Sequence, residues 1–120
     1  MSNPIVHVEV VGEDAEVLQG FYRDAFGWQM LPSGPDYAMA HPGVEGGING
    51  GVGASQTGDQ GHVTFYVEVG DLETTLGKIE DLGGSRVAGP MDVPDGPRIA
   101  MFTDPEGHLV GLIEAGSRRS

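Results

Sequence analysis

The sequence HVTFYVEVGDLETTLGKIEDLGG, residues 62–84, contains the pattern of a strand followed by the pattern of a helix. Its first eight residues are mostly β-branched or aromatic and alternate with polar residues, which predicts a strand. Asp71 is placed to cap a following helix, and the pair Gly83-Gly84 is placed to end it. The predicted apolar face of this helix consists of Leu72, Leu76, Ile79 and Leu82.

The same order occurs earlier in the chain, in IVHVEVVGEDAEVLQGFYRDAFG, residues 5–27. A shift of 57 residues places Asp14 opposite Asp71 and Gly27 opposite Gly84. The apolar stripe predicted for this first helix consists of Leu18, Phe21, Tyr22, Ala25 and Phe26. Two segments with the same order of elements indicate an internal duplication.

Three short strand candidates follow each predicted helix. They cover residues 28–31, 37–41 and about 46–52 in the first half, and residues 85–88, 98–103 and 109–113 in the second. The sequence therefore predicts an α+β fold of two βαβββ modules, about 4–55 and 61–115, within a single domain of residues 1–120.

One helix per module can cover only one face of a four-stranded mixed sheet. The other face must then curve into a cup or pair with another sheet. We therefore expect curved sheets and a homodimer, in which two chains cover what one chain leaves open.

The charge of the chain limits the partners that it can have. Six Lys and Arg residues against 18 Asp and Glu residues give a formal net charge of −12. This balance disfavours nucleic acid and anionic membranes, and favours a neutral or cationic small molecule. The chain has no cysteine, which excludes thiolate chemistry, and it shows no signal-peptide pattern, so we expect a cytoplasmic protein.

Three local motifs resemble the vicinal-oxygen-chelate superfamily, the group of glyoxalase I, bleomycin-resistance proteins and extradiol dioxygenases. Phe21-Tyr22 followed by Phe26-Gly27-Trp28 is similar to the end of its first helix, and Gly83-Gly84 to the end of its second. Residues 104–108, Asp-Pro-Glu-Gly-His, followed by Val-Gly-Leu at 110–112 resemble its final hairpin. The resemblance covers residues 5–114.

This resemblance implies a divalent metal inside the cup, held by side chains of the first and last strands of each half. His7 matches the first of these four positions. The other positions fall on Thr64, on Gly111 and near Gly46-Gly47. With one ligand retained out of four, we predict a small-molecule binding protein without the complete metal site of the family, of the sequestering or resistance type, and no cofactor.

The predicted ligand pocket follows from the polar sides of the two long strands. It consists of His7, Glu9, Thr64, Tyr66, Glu68, Met101 and Gly111. If the protein is an enzyme, His7 or Glu9 is the expected catalytic base. His62 lies at a strand start beside a glycine-rich loop, where we expect it to be mainly exposed to solvent.

The alternative is a metal-dependent enzyme, a lyase, isomerase or dioxygenase. In that case His7 and His62 with a carboxylate would hold Zn, Ni, Mn or Fe, which would act as a Lewis acid. A metal-free isomerase or cyclase is a third interpretation, and the sequence leaves all three open.

Overall fold

The computed structural model describes residues 2–34, 36–43, 45–55, 61–94 and 96–117. The chain divides into two compact units, one of residues 6–64 and the other of residues 1–5 with 65–120. The described residues of the two units form two helices and eight strands in the order βαβββ–βαβββ, which confirms the predicted α+β fold of two modules. The proposed module boundaries and the pairing of two chains stay predictions.

The first βαβββ segment contains β1 (Ile5–Gly12), α1 (Ala15–Phe26), β2 (Gln29–Pro32), β3 (Tyr37–His41) and β4 (Gly50–Ala54). The strand order is β2-β3-β4-β1. β1 pairs with β4 in parallel, and the two other pairs are antiparallel. The last strand of the segment therefore lies directly beside the first.

The second segment repeats this arrangement with β5 (His62–Val69), α2 (Leu72–Asp81), β6 (Ser85–Asp92), β7 (Arg98–Thr103) and β8 (Leu109–Glu114). Its strand order is β5-β8-β7-β6, again with the first and last strands parallel. Neither helix of the described residues is long and apolar enough to cross a bilayer.

The ends of the helices form as the sequence predicts. The Asp14 side chain accepts a hydrogen bond from the backbone N–H of Val17, 3.1 Å away, and Asp71 accepts one from Thr74 at 3.0 Å. Gly27 has a left-handed conformation (φ 74°), which glycine adopts without the steric cost that a Cβ brings.

The helix faces are only partly as predicted. Leu72 and Leu76 of α2 are fully buried and pack with Val69, Ala100 and Leu112. The expectation that Leu82 shares this face was wrong, because Leu82 is the C-cap residue beyond the last helical turn and is 70% exposed.

The stripe predicted for α1 was also too wide. Tyr22 is half-buried and stacks on Trp28 with ring centroids 5.3 Å apart, whereas Phe21 and Phe26 are exposed. A shorter part of this helix therefore covers the sheet than its apolar residues suggest.

Two strand boundaries differ from the predictions by more than two residues. The fourth strand begins at Gly50 rather than near Gly46, because its register is set by pairing with β1, and Gly46 has the positive φ (89°) of a turn. β6 continues to Asp92 because it pairs with β7 along that whole length, with register shifts on the way.

Substitution of Leu76 by alanine tests the position of the core. Leu76→Ala removes a fully buried side chain and should lower the free energy of unfolding by about 2–5 kcal/mol. The matched control Leu82→Ala truncates an exposed leucine at the C-terminal end of the same helix and should change the free energy of unfolding by less than about 0.5 kcal/mol. Urea unfolding followed by circular dichroism measures both, and equal effects would contradict the burial described above.

Asp104, in the turn between β7 and β8, is expected to make the stability of the fold depend on pH. The backbone N–H of His108 donates to the Asp104 carboxylate, and together with the His108 side chain and the N–H of Glu106 it holds the pKa of that carboxyl below its ordinary value. Because the pKa of Asp104 is lower in the folded state, its ionised form stabilises the fold. This stabilisation is complete at pH values above the unfolded pKa, near 3.8, and it is lost as the pH falls through the folded pKa. Unfolding midpoints below pH 4 should therefore fall less steeply in Asp104→Asn than in the wild type.

Candidate functional site

The two faces of the first four-stranded sheet differ in character. A Cβ at Gly12 of β1 would contact Leu18 of α1, so the side chains of even-numbered β1 residues point toward the helix. Side chains alternate along a strand, and those of His7 and Glu9 therefore point to the opposite side. We call this side, with His7, Glu9, Tyr37 and His62, the polar face.

Tyr37 crosses the polar face from one strand to another. It pairs with Gly53, and β4 lies between its own strand and β1. A Cβ at Gly51 or at Gly53 would overlap the Tyr37 side chain, so the ring lies directly on these two glycines. Its hydroxyl thereby reaches β1, where it donates to Glu9 Oε1 at 3.1 Å and lies 3.2 Å from Nε2 of His7.

His62 approaches the same carboxylate from the start of β5. Its Nε2 lies 2.9 Å from Glu9 Oε2, and its side chain is 26% exposed while that of Glu9 is 13% exposed. The expectation of a mainly exposed His62 was wrong. The close approach depends on Gly61, whose φ of 90° and whose contact with the backbone of Val11 exclude any Cβ.

These contacts fix the direction of the hydrogen bonds. A carboxylate only accepts, so His62 Nε2–H and the Tyr37 hydroxyl both donate to Glu9. The Tyr37 hydroxyl has one proton, which leaves Nε2 of His7 to donate to the phenol oxygen. The polar face is therefore a hydrogen-bonded chain of four side chains with Glu9 as its acceptor.

The other predicted pocket residues lie along β5, β7 and β8. Tyr66 is buried and pairs with Gly111, which pairs in turn with Met101. Thr64 is also buried, whereas Glu68 and Met101 are half-buried. The structure thus brings Tyr66, Gly111 and Met101 into one row across three strands, and their role as a ligand pocket stays a prediction.

An apolar cavity lies beside the helix-facing residues of the first sheet. Its volume is about 270 Å³, and it is lined by Val8, Val10, Trp28, Ala40, Pro42, Ile48, Gly50, Gly51 and Val52. None of these side chains titrates. The polar face is the better candidate site because it contains two histidines, a carboxylate and a phenol. Such polar groups orient a bound ligand, and an apolar lining cannot do so.

Comparison with known proteins places the fold in a family. A model of the Glyoxalase/Bleomycin resistance protein/Dioxygenase superfamily matches residues 4–112. The chain belongs to this superfamily.

Individual members of the superfamily are distant in sequence. The chain is 28% identical to a "Probable lactoylglutathione lyase" of Synechocystis, with 96% of this chain and 98% of that protein covered. It also spans 42% of the length of two mycobacterial relatives, to which it is 24% identical.

Solved structures confirm the likeness in fold. Methylmalonyl-CoA epimerase from Mycobacterium tuberculosis superposes with a TM-score of 0.67 at 18% identity, over 92% of this chain and 86% of the epimerase. The Mn(II)-bound glyoxalase from Novosphingobium aromaticivorans gives 0.67 at 15% identity, over 99% of this chain and 43% of the glyoxalase.

The strand register corrects one of the four positions that the superfamily resemblance assigned to ligands. Glu9 pairs with Gly51, and Tyr66 pairs with Gly111. Because residues 9 and 66 are related by the internal shift of 57, the counterpart of Gly111 is Gly51 and not Gly46-Gly47. A Cβ at either glycine would overlap a tyrosine ring, that of Tyr37 at Gly51 and that of Tyr66 at Gly111.

The sequence did not predict that the hydroxyl of Tyr37 takes part in the site. Its signal was the alternation Gly51-Val52-Gly53, since two glycines on one face of a strand leave room for a large neighbour. The sequence does not specify which aromatic residue fills that room, because it depends on the pairing of β3 with β4.

Substitution of Gly51 tests the packing of Tyr37. Gly51→Ala places a methyl group where the phenol lies and should lower the free energy of unfolding by about 1–3 kcal/mol through overpacking. In a Tyr37→Ala background the same substitution should cost much less, because the ring is gone. A double-mutant cycle measured by urea unfolding checks this coupling, and additive effects would show that the ring does not lie on Gly51.

Proposed function

We propose that this chain binds a small neutral or cationic organic molecule on the polar face, without the complete metal site of the superfamily. The observation that carries the proposal is the pair of tyrosine rings over Gly51 and Gly111. At these two positions the resemblance implies a ligand side chain, and here an aromatic ring takes the space that such a side chain needs.

The remaining donors do not fit a metal ion well. A catalytic zinc site needs about three protein ligands converging on one point. Among the described residues no three His, Asp or Glu side chains form such a group. The Tyr37 hydroxyl lies between His7 and Glu9 and makes a hydrogen bond to each, so it separates the two donors that would have to share the ion.

The charges around the chain favour a ligand that is not anionic. Each arginine that the structure describes is already paired with a carboxylate: Arg23 with Asp24, Arg86 with Glu73, and Arg98 with Glu114. The polar face itself carries Glu9. An anionic ligand would therefore meet the charge of Glu9 on the polar face and find these arginines already paired.

A metal-dependent lyase or isomerase is the second candidate function. It is favoured by His62 Nε2, 2.9 Å from Glu9, and by relatives named as a lactoylglutathione lyase and as a Mn(II)-bound glyoxalase. A bound divalent ion would act there as a Lewis acid, with His7, His62 and Glu9 as the donors at hand. The homodimer and the cytoplasmic location stay predictions.

Metal analysis separates the two candidates. Purified wild-type protein should contain far less than one Ni, Zn, Mn or Fe ion per chain, and added ions should not raise its melting temperature. The variant Gly51→Glu with Tyr37→Ala, which replaces the ring by a carboxylate, is the positive control and should gain metal-dependent stability. One tightly held ion per wild-type chain, lost in His7→Ala, would favour the metal-dependent enzyme instead.

A matched set of ligands tests the predicted charge preference. Benzamidine, benzamide and benzoate have similar shapes and differ in charge. Benzamidine and benzamide should raise the melting temperature and benzoate should not, because a ligand stabilises the fold according to its concentration relative to its Kd. Glu9→Gln should remove the difference between benzamidine and benzamide. A preference for benzoate would contradict the proposal.

A further inference from the structure

The contact between His62 and Glu9 determines which ring nitrogen of His62 is available for chemistry. Nε2 donates to the carboxylate at 2.9 Å and must carry a proton. In the neutral ring Nδ1 then has a lone pair. Among the residues that the structure describes, Glu9 is the side-chain partner of His62, and Nδ1 has no hydrogen-bonding partner.

Glu9 is held in place from a second direction. Tyr37 donates to Oε1 while His62 donates to Oε2, so both carboxylate oxygens are engaged. A carboxylate fixed in this way orients the imidazole, and it stabilises the imidazolium that forms when Nδ1 takes up a proton.

The solvent exposures of His62 and Glu9 suit a base and a residue that orients it, respectively. The His62 side chain is 26% exposed, so a small molecule can reach it, whereas Glu9 is only 13% exposed. The group that would meet a substrate is thus the accessible one, and its partner is largely covered by the chain.

We infer that His62 and Glu9 form a general-base dyad, in which Nδ1 of His62 accepts a proton from a neutral or cationic carbon acid bound on the polar face. This inference rests on the proposed function and makes the chain an enzyme rather than a sequestering protein. The substrate C–H bond breaks, an N–H bond forms at Nδ1, and the electron pair stays on the substrate, delocalised onto a carbonyl oxygen. Return of the proton to a different position completes an isomerisation that needs no other reactant.

In this scheme His62 is the catalytic residue, and Glu9 and Tyr37 are positioning residues. This differs from the roles expected from the sequence, where His7 or Glu9 was the base. Glu9 is less suited to that role because both of its oxygens already accept hydrogen bonds.

The test uses 5-nitrobenzisoxazole, a neutral aromatic carbon acid, as the probe. A base removes its ring C–H proton, and the C–H electron pair forms the third bond of the nitrile. The N–O bond breaks at the same time, and its electron pair ends on the oxygen of a coloured cyanophenolate. The wild-type protein should accelerate this reaction over buffer with saturation kinetics. His62→Ala should lower kcat/KM by about 10²-fold or more, the typical contribution of a positioned general base. The matched control His41→Ala, also a half-buried histidine, should retain the wild-type rate.

The positioning role of Glu9 is tested by measuring kcat and KM separately in Glu9 variants. Glu9→Gln should lower kcat by about tenfold or more, since the imidazolium loses its counter-charge, with little change in KM. Glu9→Asp keeps a carboxylate and should restore part of the rate that Glu9→Gln loses. A purely structural role for Glu9 would not predict this partial rescue. Full activity of His62→Ala, or equal activity of Glu9→Gln and wild type, would overturn the inference.

Nitrogen-15 NMR of the histidine side chains provides a measurement on the wild-type protein that does not depend on folding of the variants. The signals of the neutral His62 ring should show a protonated Nε2 and an unprotonated Nδ1, and Glu9→Gln should change this tautomer balance. A protonated Nδ1 in the neutral ring would overturn the inference. Saturable binding of the probe without acceleration would overturn the dyad but leave the proposed function intact, whereas one stoichiometric metal ion per chain would overturn the proposed function itself.

Discussion

The site depends on a tyrosine ring that lies against two glycines. Without side chains at residues 51 and 53, Tyr37 can reach across an entire strand and place its hydroxyl against β1. That hydroxyl then occupies one oxygen of Glu9, so the carboxylate presents its other oxygen to His62. The geometry of three functional groups thus follows from the absence of two Cβ atoms.

The acceptor character of Glu9 organises the rest of the polar face. Tyr37 and His62 can each supply a proton to Glu9, and the carboxylate can supply none. The network therefore has one consistent direction, from His7 to Tyr37 to Glu9 and from His62 to Glu9. Such a directed chain differs from a metal site, where several lone pairs converge on one ion.

Sequence patterns predicted the elements of the fold and part of the site. The strand alternation, the Asp14 and Asp71 caps and the internal shift were enough for two βαβββ modules, because these signals are local. Leu82 and the outer residues of α1 were assigned wrongly, since helical spacing does not show where the sheet beneath a helix ends. His7 was identified from the family resemblance, and Glu9 from the polar side of its strand.

The contacts made by His62 and Tyr37 could not be predicted in the same way. His62 is separated from Glu9 by 53 positions in the sequence, and Tyr37 by 28. Both contacts depend on strand registers, and on close backbone approaches at Gly61 and Gly51, that no short stretch of sequence specifies. Long-range pairing decides such sites, and this is why a fold can be assigned before its chemistry.

The packing of Tyr37 on Gly51 also limits how this chain can change over evolutionary time. A carboxylate at residue 51 would restore one family ligand, but it collides with the ring as long as residue 37 is tyrosine. Loss of the ring must therefore come first, and that step by itself removes the hydrogen bond from Tyr37 to Glu9 without creating any new ligand. The effect of a carboxylate at residue 51 thus depends on whether residue 37 is tyrosine, which is sign epistasis. A change from the present site to one with that carboxylate therefore needs two substitutions in a fixed order.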